Sequence, residues 1–308
     1  MRFISEEQSA ALITHEIAFE AAHEALIAAV ADGTNAFPAV LAHGTRPTDR
    51  FSIKAGSTTE VAGLKMGSYW PGNSDLGVPR HNSVILLIDQ SVGRVEWVIE
   101  AGKVNAYRTA AADAVAADAL ARKDAATLAI FGSGHQALFE CLAIARIRPI
   151  TAVSIVARDA TKGGAFAEVL RSHGLAAETA SAQAACERAD IVVTATASRA
   201  PLFDSAWIRP GTHVASMGSD GPGKQELPPA LFDRAELFCD LPKQSVVMGD
   251  LQHFGGDRAR IVAIGDVLSD RSAGRSDDAA ITVFDSSGIA LQDLYVARRL
   301  VSAFEAKD

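Results

Sequence analysis

Thr127-Leu128-Ala129-Ile130-Phe131-Gly132-Ser133-Gly134-His135-Gln136-Ala137 reads as a buried strand, a glycine turn and the first residues of a helix, set in the middle of the chain. In such a unit Gly132 allows the tight turn, Gly134 lets backbone approach a diphosphate, and Ala137 lets the helix pack closely on the strand. The free N–H groups and dipole at the helix N-terminus then hold the negative charge. A bare G-x-G-x-x-A is weak evidence, because glycine turns recur in ordinary loops. Here the helix-forming run Ala137 to Arg146 follows, and a second strand, Ala152 to Val156, arrives at βαβ distance. The stretch therefore predicts a dinucleotide site, with Gly132, Ser133, Gly134, His135 and Gln136 against the cofactor.

Working outward from it, strand-like runs alternate with helical segments from residue 125 on: Leu128 to Phe131, Ala152 to Val156, Ile191 to Thr196, His213 to Met217, Leu237 to Cys239 and Ile281 to Phe284. That alternation implies a parallel, doubly wound α/β sheet. The stretch from Asp257 to Ser276 reads as partly loop. Before it the rhythm differs. A helical region from Glu6 to Ala31 ends at Asp32-Gly33, and short strands follow: Ala39 to Ala42, Phe51 to Ala55, Val61 to Tyr69, and Ser83 to Ile88 joined to Val95 to Glu100 through the hairpin-like Asp89 to Gly93. This is an α+β block. An Ala-rich helix over Asn105 to Arg122 leads out of it, and the amphipathic Leu291 to Glu305 returns to it, since Leu294, Val301 and Phe304 need a partner. The expected division is residues 1–118 with 289–308, and 119–288.

Composition excludes several classes. The 308 residues are 48% hydrophobic and 21% charged, with a net charge of −8, so scattered basic residues disfavour a nucleic-acid partner. No run approaches the roughly 18 apolar residues of a membrane span, and the N-terminus lacks the basic and apolar regions of a signal peptide, which predicts a cytoplasmic protein. Cys141, Cys186 and Cys239 are odd in number and far apart, as expected of buried reduced thiols. The eight histidines form no H-x-x-x-H pair, so no metal is expected.

Three charged residues stand out. Lys65 lies between apolar Leu64 and Met66 on a strand, so its ammonium either snorkels to the surface or points into a site. Arg108 opens the Ala-rich helix, the electrostatically wrong end for a structural cation, which favours a carboxylate ligand gripped at two points. Asp220 follows the C-terminal end of a strand, where doubly wound sheets bind ligands, or else it caps its own turn.

Taken together, Gly63-Leu-Lys65 through Pro71-Gly-Asn73, Arg108-Thr109-Ala110-Ala111, Gly132-Ser-Gly134-His-Gln136-Ala137, Gly218-Ser-Asp220-Gly-Pro-Gly-Lys-Gln-Glu226-Leu227 and Phe284-Asp-Ser286-Ser-Gly288 through Asp293 resemble the ornithine cyclodeaminase and mu-crystallin family over nearly the whole chain. The resemblance implies a Rossmann domain and a substrate-binding and dimerisation domain built from the N-terminal block and the C-terminal helix. It implies a homodimer, with a site between the domains. Lys65 and Arg108 would bind and polarise substrate, and Asp220 would handle protons in the cyclodeaminase branch. Many members carry an Arg just after the Pro near the first strand, where this chain has Pro38-Ala39. Substrate binding must differ. Arg80 and His81, with Tyr69 and Asn73, are candidate substrate contacts, Arg46 or Arg50 are further replacements, and Arg80 and His81 read equally as solvated loop residues.

At the end of the second strand, Arg158-Asp159 gives a mixed signal, because an acid bonds the free ribose 2′-hydroxyl whereas an Arg neutralises a 2′-phosphate. Asp159 tips the reading to NAD over NADP. Thr109, Thr194, Thr196, Met217, Ser286 and Gly288 complete the expected cofactor lining. The favoured activity is reduction of a small α-imino acid, a cyclic ketimine or an iminosuccinate-like imine, to the L-amino acid. The alternatives are a cyclodeaminase or amino-acid dehydrogenase using NAD, and a non-catalytic binding protein on the same fold.

Overall fold

The computed structural model describes residues 1–307. They divide into two compact units, residues 1–108 with 289–307 and residues 109–288. The first boundary falls between Arg108 and Thr109, inside a helix, and not at residue 118.

The first unit opens with β1 (Arg2–Ile4), α1 (Glu6–Leu12) and α2 (His15–Ala28). The single helical region expected over Glu6 to Ala31 is two helices, because Ser5 and Thr14 each accept, on a side-chain oxygen, the backbone N–H three residues on and so start one apiece. There follow β2 (Asn35–Ala36), β3 (Val40–His43), β4 (Arg50–Ser57), β5 (Ala62–Tyr69), β6 (His81–Asp89) and β7 (Arg94–Glu100). The sheet order is β1-β7-β6-β5-β4-β2, with β3 also on β4, and every pair but β1–β7 is antiparallel. α3 (Gly102–Leu120) begins three residues before the expected start. Its first N–H groups, those of Gly102 and Lys103, donate to the Glu6 carboxylate at 2.7 and 2.8 Å. Arg108 therefore sits in the second turn, and the argument that placed it at a helix N-terminus does not apply.

The second unit runs β8 (Thr127–Phe131), α4 (His135–Ile147), β9 (Ala152–Val156), α5 (Ala160–Ser172), β10 (Ala177–Thr179), α6 (Ala182–Arg188), β11 (Ile191–Thr194), β12 (His213–Ser216), α7 (Pro229–Phe232), β13 (Ala235–Cys239), α8 (Pro242–Met248), β14 (Ile261–Ala263), α9 (Ile264–Leu268) and β15 (Ile281–Asp285). All eight strands are parallel, in the order β10-β9-β8-β11-β12-β15-β13-β14. The chain reverses its direction of travel across the sheet between β8 and β11, the point where open α/β sheets bind ligands. The central strands are buried on both faces, as four successive buried residues in β11 and in β12 show. The last helix, α10 (Ala290–Glu305), returns to the first unit and packs on α2 and on β4, β5 and β6. Leu291 and Leu294 lie against Gly56 and Gly63, where a Cβ would come within 3.2 and 3.0 Å of them.

Candidate active site

In the second unit, cross-strand register sets Phe131, Thr194, Ser216 and Asp285 in one row across β8, β11, β12 and β15. One residue farther lie Gly132, Ala195, Met217 and Ser286, at the C-terminal edge of the sheet; the Met217 N–H donates to Thr194 O at 2.9 Å and the Ser286 N–H to Ser216 O at 3.0 Å. Gly132 has φ +120°, and a Cβ on it would stand 2.8 Å from Ala195 O, so only glycine makes this turn without strain. Gly134 is different: it caps α4, its φ is −92°, and a Cβ there would meet nothing within 4 Å. No side chain caps α4 and no acid lies in its first turn, so no protein carboxylate competes for an approach to its N-terminus. Exposed His135 and half-buried Ser133 and Gln136 flank that approach, and Ala137 is fully buried behind it. These residues fit the diphosphate of a dinucleotide.

Two substitutions separate the glycines' roles. Gly132→Ala should lower the melting temperature outright. Gly134→Val should fold with an undisturbed melt but lose the stabilisation that saturating cofactor confers, about 2.7 kcal/mol at a hundred times the dissociation constant; differential scanning calorimetry with and without NAD reads both.

Glu226 braces the loops along this edge, a role invisible in the sequence. Fully buried, it accepts hydrogen bonds from Thr194 Oγ1 at 2.8 Å, the Thr196 N–H and Oγ1 at 2.6 Å each, and the Gly218 N–H at 2.8 Å. Burial, and then the nearby Asp250 carboxylate, push its pKa up to about 7 against those donors. Asp240 similarly holds the Gly288 N–H at 2.6 Å, with Gly288 at φ +70°. Asp159 caps α5 by accepting from the Lys162 N–H at 3.1 Å, and Arg158 beside it is exposed. Asp220 is exposed and ion-paired with Lys224 in its own loop.

In the first unit, directly paired residues of antiparallel neighbours share a face. One face thus carries three successive rows across β4, β5 and β6: Lys54–Lys65–Ile85, Ser52–Gly67–Ser83 and Arg50–Tyr69–His81. Lys65 is 6% and Arg108 8% exposed, which excludes the snorkelling alternative for Lys65. Both ion-pair with Asp293 of α10, Lys65 Nζ at 3.0 Å and Arg108 Nε at 2.9 Å from the same Oδ1. Asn105 Oδ1 accepts from Lys65 Nζ and, at 2.7 Å, from Arg108 Nη2. Gln292 Oε1 lies 3.4 Å from Arg108 Nη1. One carboxylate therefore serves two buried cations. Burial, then the Arg108 charge, bring the Lys65 pKa down to about 7, although Asp293 opposes the shift; Arg108 and Lys65 in turn hold the Asp293 pKa low against its burial.

Several buried polar atoms here lack a hydrogen-bond partner: Ser83 Oγ, Gln292 Nε2 and Asp293 Oδ2. Orphaned polar atoms in a native interior call for an explanation, and a polar ligand supplies one. A Cβ on Gly67 would stand 3.5 Å from Lys65 Cε and 3.7 Å from Ser52 Oγ, so the glycine keeps the row beside Lys65 free of a further side chain.

The other sequence candidates fall elsewhere. Tyr69 and His81 occupy the outermost row of the same face. Asn73 lines an open pocket on the opposite face with Phe51, Met66, Ser68 and Trp70, its Nδ2 donating to Pro79 O at 2.9 Å. Arg80 bonds Ser74, and Arg46 is paired with Asp49 at 2.8 Å. Half-buried Thr109 begins the second unit. Sequence reasoning missed Asn105, Gln292, Asp293 and Ser83, although Gln292 and Asp293 stood within the last of the quoted motifs. All three cysteines are buried and free, and among the described residues no group of three or more His, Cys, Asp or Glu side chains is placed to hold a metal. No helix among them is long and apolar enough to cross a membrane.

A doubly wound sheet with a glycine-capped helix at its C-terminal edge is the arrangement of a dinucleotide-binding α/β protein, and it stands beside a unit with buried, ion-paired cations. The chain belongs to the ornithine cyclodeaminase/mu-crystallin family, whose model matches residues 9–308. It is 34% identical to the iminosuccinate reductase of Paracoccus denitrificans over 313 residues, covering 100% of this chain and 98% of that protein. The crystal structure of that reductase with NAD+ superposes with a TM-score of 0.94, over 100% of this chain and 97% of the other. An archaeal alanine dehydrogenase dimer with bound NAD has a TM-score of 0.92 at 29% identity, covering 99% and 96%. The Thermococcus litoralis Δ1-pyrroline-2-carboxylate reductase, in complex with NADH and L-proline, gives 0.92 at 25% identity, covering 100% and 98%.

Proposed function

We propose that this protein is an NAD(H)-dependent reductase that converts a small α-imino acid into the L-amino acid. The observation that carries the reading is the buried Lys65–Asp293–Arg108 cluster with its unpartnered polar atoms. Arg108 grips the α-carboxylate, for which a planar guanidinium is suited. Lys65, titrating near neutrality, donates a proton to the imine nitrogen and so makes the imine carbon electrophilic. Bound NADH supplies the hydride. One NADH, one proton and one imine give NAD+ and one amine. Gly132, Ser133, Gly134, His135 and Gln136 hold the diphosphate, and Thr194, Thr196, Met217, Ser286 and Gly288 line the remainder of the cofactor edge, with Thr109 as a further contact. Asp159 and Arg158 flank the adenosine ribose. NAD is the preferred cofactor, as the relatives bound to NAD+ or NADH support. Asp220, on which the cyclodeaminase reading depends, is tied to Lys224 and exposed, which favours the reductase. Tyr69 and His81 form the outer wall of the substrate face.

The protein works as a homodimer in the cytoplasm. Exposed Val40 and Met66, in register with Ile53 on the sheet face opposite Lys65, offer an apolar surface for a second subunit. The test of function is NADH consumption with a panel of 2-oxo acids in ammonium buffer, where the imines form in solution. Consumption with at least one, accompanied by its amino acid, is expected; no consumption with any contradicts the reading. A larger thermal shift with NAD than with NADP checks the cofactor.

A further inference from the structure

Two acids buried in the second unit take no part in the reaction derived above. Asp113, on α3, and Glu140, on α4, are both fully buried, and their sequence neighbours Ala112, Ala114, Phe139 and Cys141 are buried with them. Among the described residues no N–H or O–H donor reaches either oxygen of Asp113; the group it is hydrogen-bonded to is the Glu140 carboxyl. A hydrogen bond between two carboxyl groups exists only while one of them carries a proton, and two carboxylates in contact in an apolar interior do not both ionise readily. Burial pushes the Asp113 pKa up to about 7, although the Glu140 hydrogen bond opposes the rise.

Glu140 reaches further. Its Oε1 accepts from Gln136 Nε2 at 2.7 Å, one turn earlier on α4. Gln136 is the second residue of that helix and belongs to the glycine turn. The series Asp113, Glu140, Gln136 thus leads from the interior to the first turn of α4. Two other titrating groups lie beside it: burial and the two carboxyls push the Cys141 thiol well up, and burial holds His135 below the ordinary 6.5. Neither changes charge just above neutrality. Glu226, brought up to about 7, braces neighbouring loops of the same sheet edge and is the one competitor in that range.

Resting on the reading that α4 holds the cofactor diphosphate, we propose that Asp113 is a positioning residue of the cofactor site: the proton it shares with Glu140 leaves one negative charge instead of two behind the first turn of α4, and dinucleotide binding is coupled to that proton. A molecule that has lost the proton takes one up from solvent as the diphosphate binds. The cause is repulsion, because the diphosphate and a doubly ionised pair are both anionic and the protein between them screens poorly. The effect is on cofactor affinity, so it vanishes at saturating NADH and stays separate from the titration of Lys65.

The test is calorimetric titration of NAD into wild type and Asp113→Asn, from well below to well above pH about 7, in buffers of different ionisation enthalpy. The amide is nearly isosteric, donates a permanent hydrogen bond to Glu140 and does not titrate. Wild-type affinity is expected to fall about tenfold across the window, the equivalent of one pKa unit of linkage, with net proton uptake on binding at the midpoint. In Asp113→Asn the affinity is expected to stay level and the uptake to be absent. A fall and an uptake that persist in Asp113→Asn trace to another group, Glu226 first, and overturn the proposal, as does a wild type whose affinity is independent of pH. No NAD binding by wild type at any pH is the separate failure of the cofactor reading, and it takes the coupling with it. Infrared difference spectra of the cofactor-free proteins identify the proton directly: below the midpoint, wild type minus Asp113→Asn should show the carbonyl band of a protonated carboxyl, and its absence also overturns the proposal. Should Asp113→Asn give no cooperative melt, Glu140→Gln, which likewise leaves one acid beside one amide, takes its place under the same criteria.

Discussion

Lys65→Met is expected to lower kcat/KM for imine reduction by about a thousandfold, the central range for loss of a positioned general acid. Binding of the carboxylate should weaken far less, because Arg108 remains. The pH dependence carries the sharper signature. With its pKa brought down to about 7 by burial and by Arg108, Lys65 is protonated below that pH and can donate. The profile of kcat/KM, which reports the free enzyme, should therefore be flat on the acid side and fall tenfold per pH unit above about 7. Oxidation of the amino acid needs the same group as a base and should rise through the same pH. The linked effect on stability has the opposite sense to the reductive rate. Between about 7 and the ordinary lysine value of 10.5, the unfolded chain holds a proton that the folded chain has released, so stability rises with pH across that window. Stopped-flow reduction and urea melts at pH values from below about 7 to near 10.5 check both limbs. A limb above neutrality that persists in Lys65→Met rules Lys65 out as its source.

The second large effect concerns Asp293. Asp293→Asn is close to isosteric but removes the one negative charge that Lys65 and Arg108 share at 3.0 and 2.9 Å. Breaking a buried ion pair by deleting one partner costs about 3–5 kcal/mol, because the remaining charge is left without compensation. The Asp293 charge also raises the Lys65 pKa, opposing burial. Its removal should move the falling limb of the reduction profile to lower pH, by about 1–3 units for a close opposite charge. A thermal melt tests the first part and a pH profile the second. A variant that melts like wild type and keeps its limb at neutrality would show that the cluster is not the coupled unit its geometry describes.

Much of the architecture was legible in the chain. The run from Thr127 to Ala137 has a periodicity and glycine spacing that only a strand, a tight turn and a helix satisfy together, and the Val- and Ile-rich runs at Ala152, Ile191, His213 and Ile281 are too short and too apolar for surface helices. All became parallel strands in the doubly wound order. The edge strands β1, β2, β10 and β14 were not read because two or three residues leave no period to detect. β14 and α9 fell inside a stretch read as partly loop for the same reason.

The candidate site was legible in part. Lys65 and Arg108 declared themselves by charge in apolar surroundings, but the carboxylate that joins them comes from Asp293, more than 180 residues beyond Arg108. Nothing local announces such a partner. Asp293 follows Gln292 near the start of a helix and reads there as an ordinary first-turn acid. Glu226 looked like one polar residue in a polar loop; its burial under Thr194, Thr196 and Gly218 is a product of tertiary packing.

The central claim is that the chain's buried cations hold an imine while hydride reaches its carbon from a nicotinamide. It is tested most directly by carrying out the reaction with NADH dideuterated at the nicotinamide C4 and examining the amino acid product by proton NMR and mass spectrometry. The account predicts one deuterium per molecule, all of it on Cα, in an L-amino acid formed in step with NADH loss. Product without deuterium at Cα, or deuterium lost to solvent while NADH is unconsumed, would contradict it.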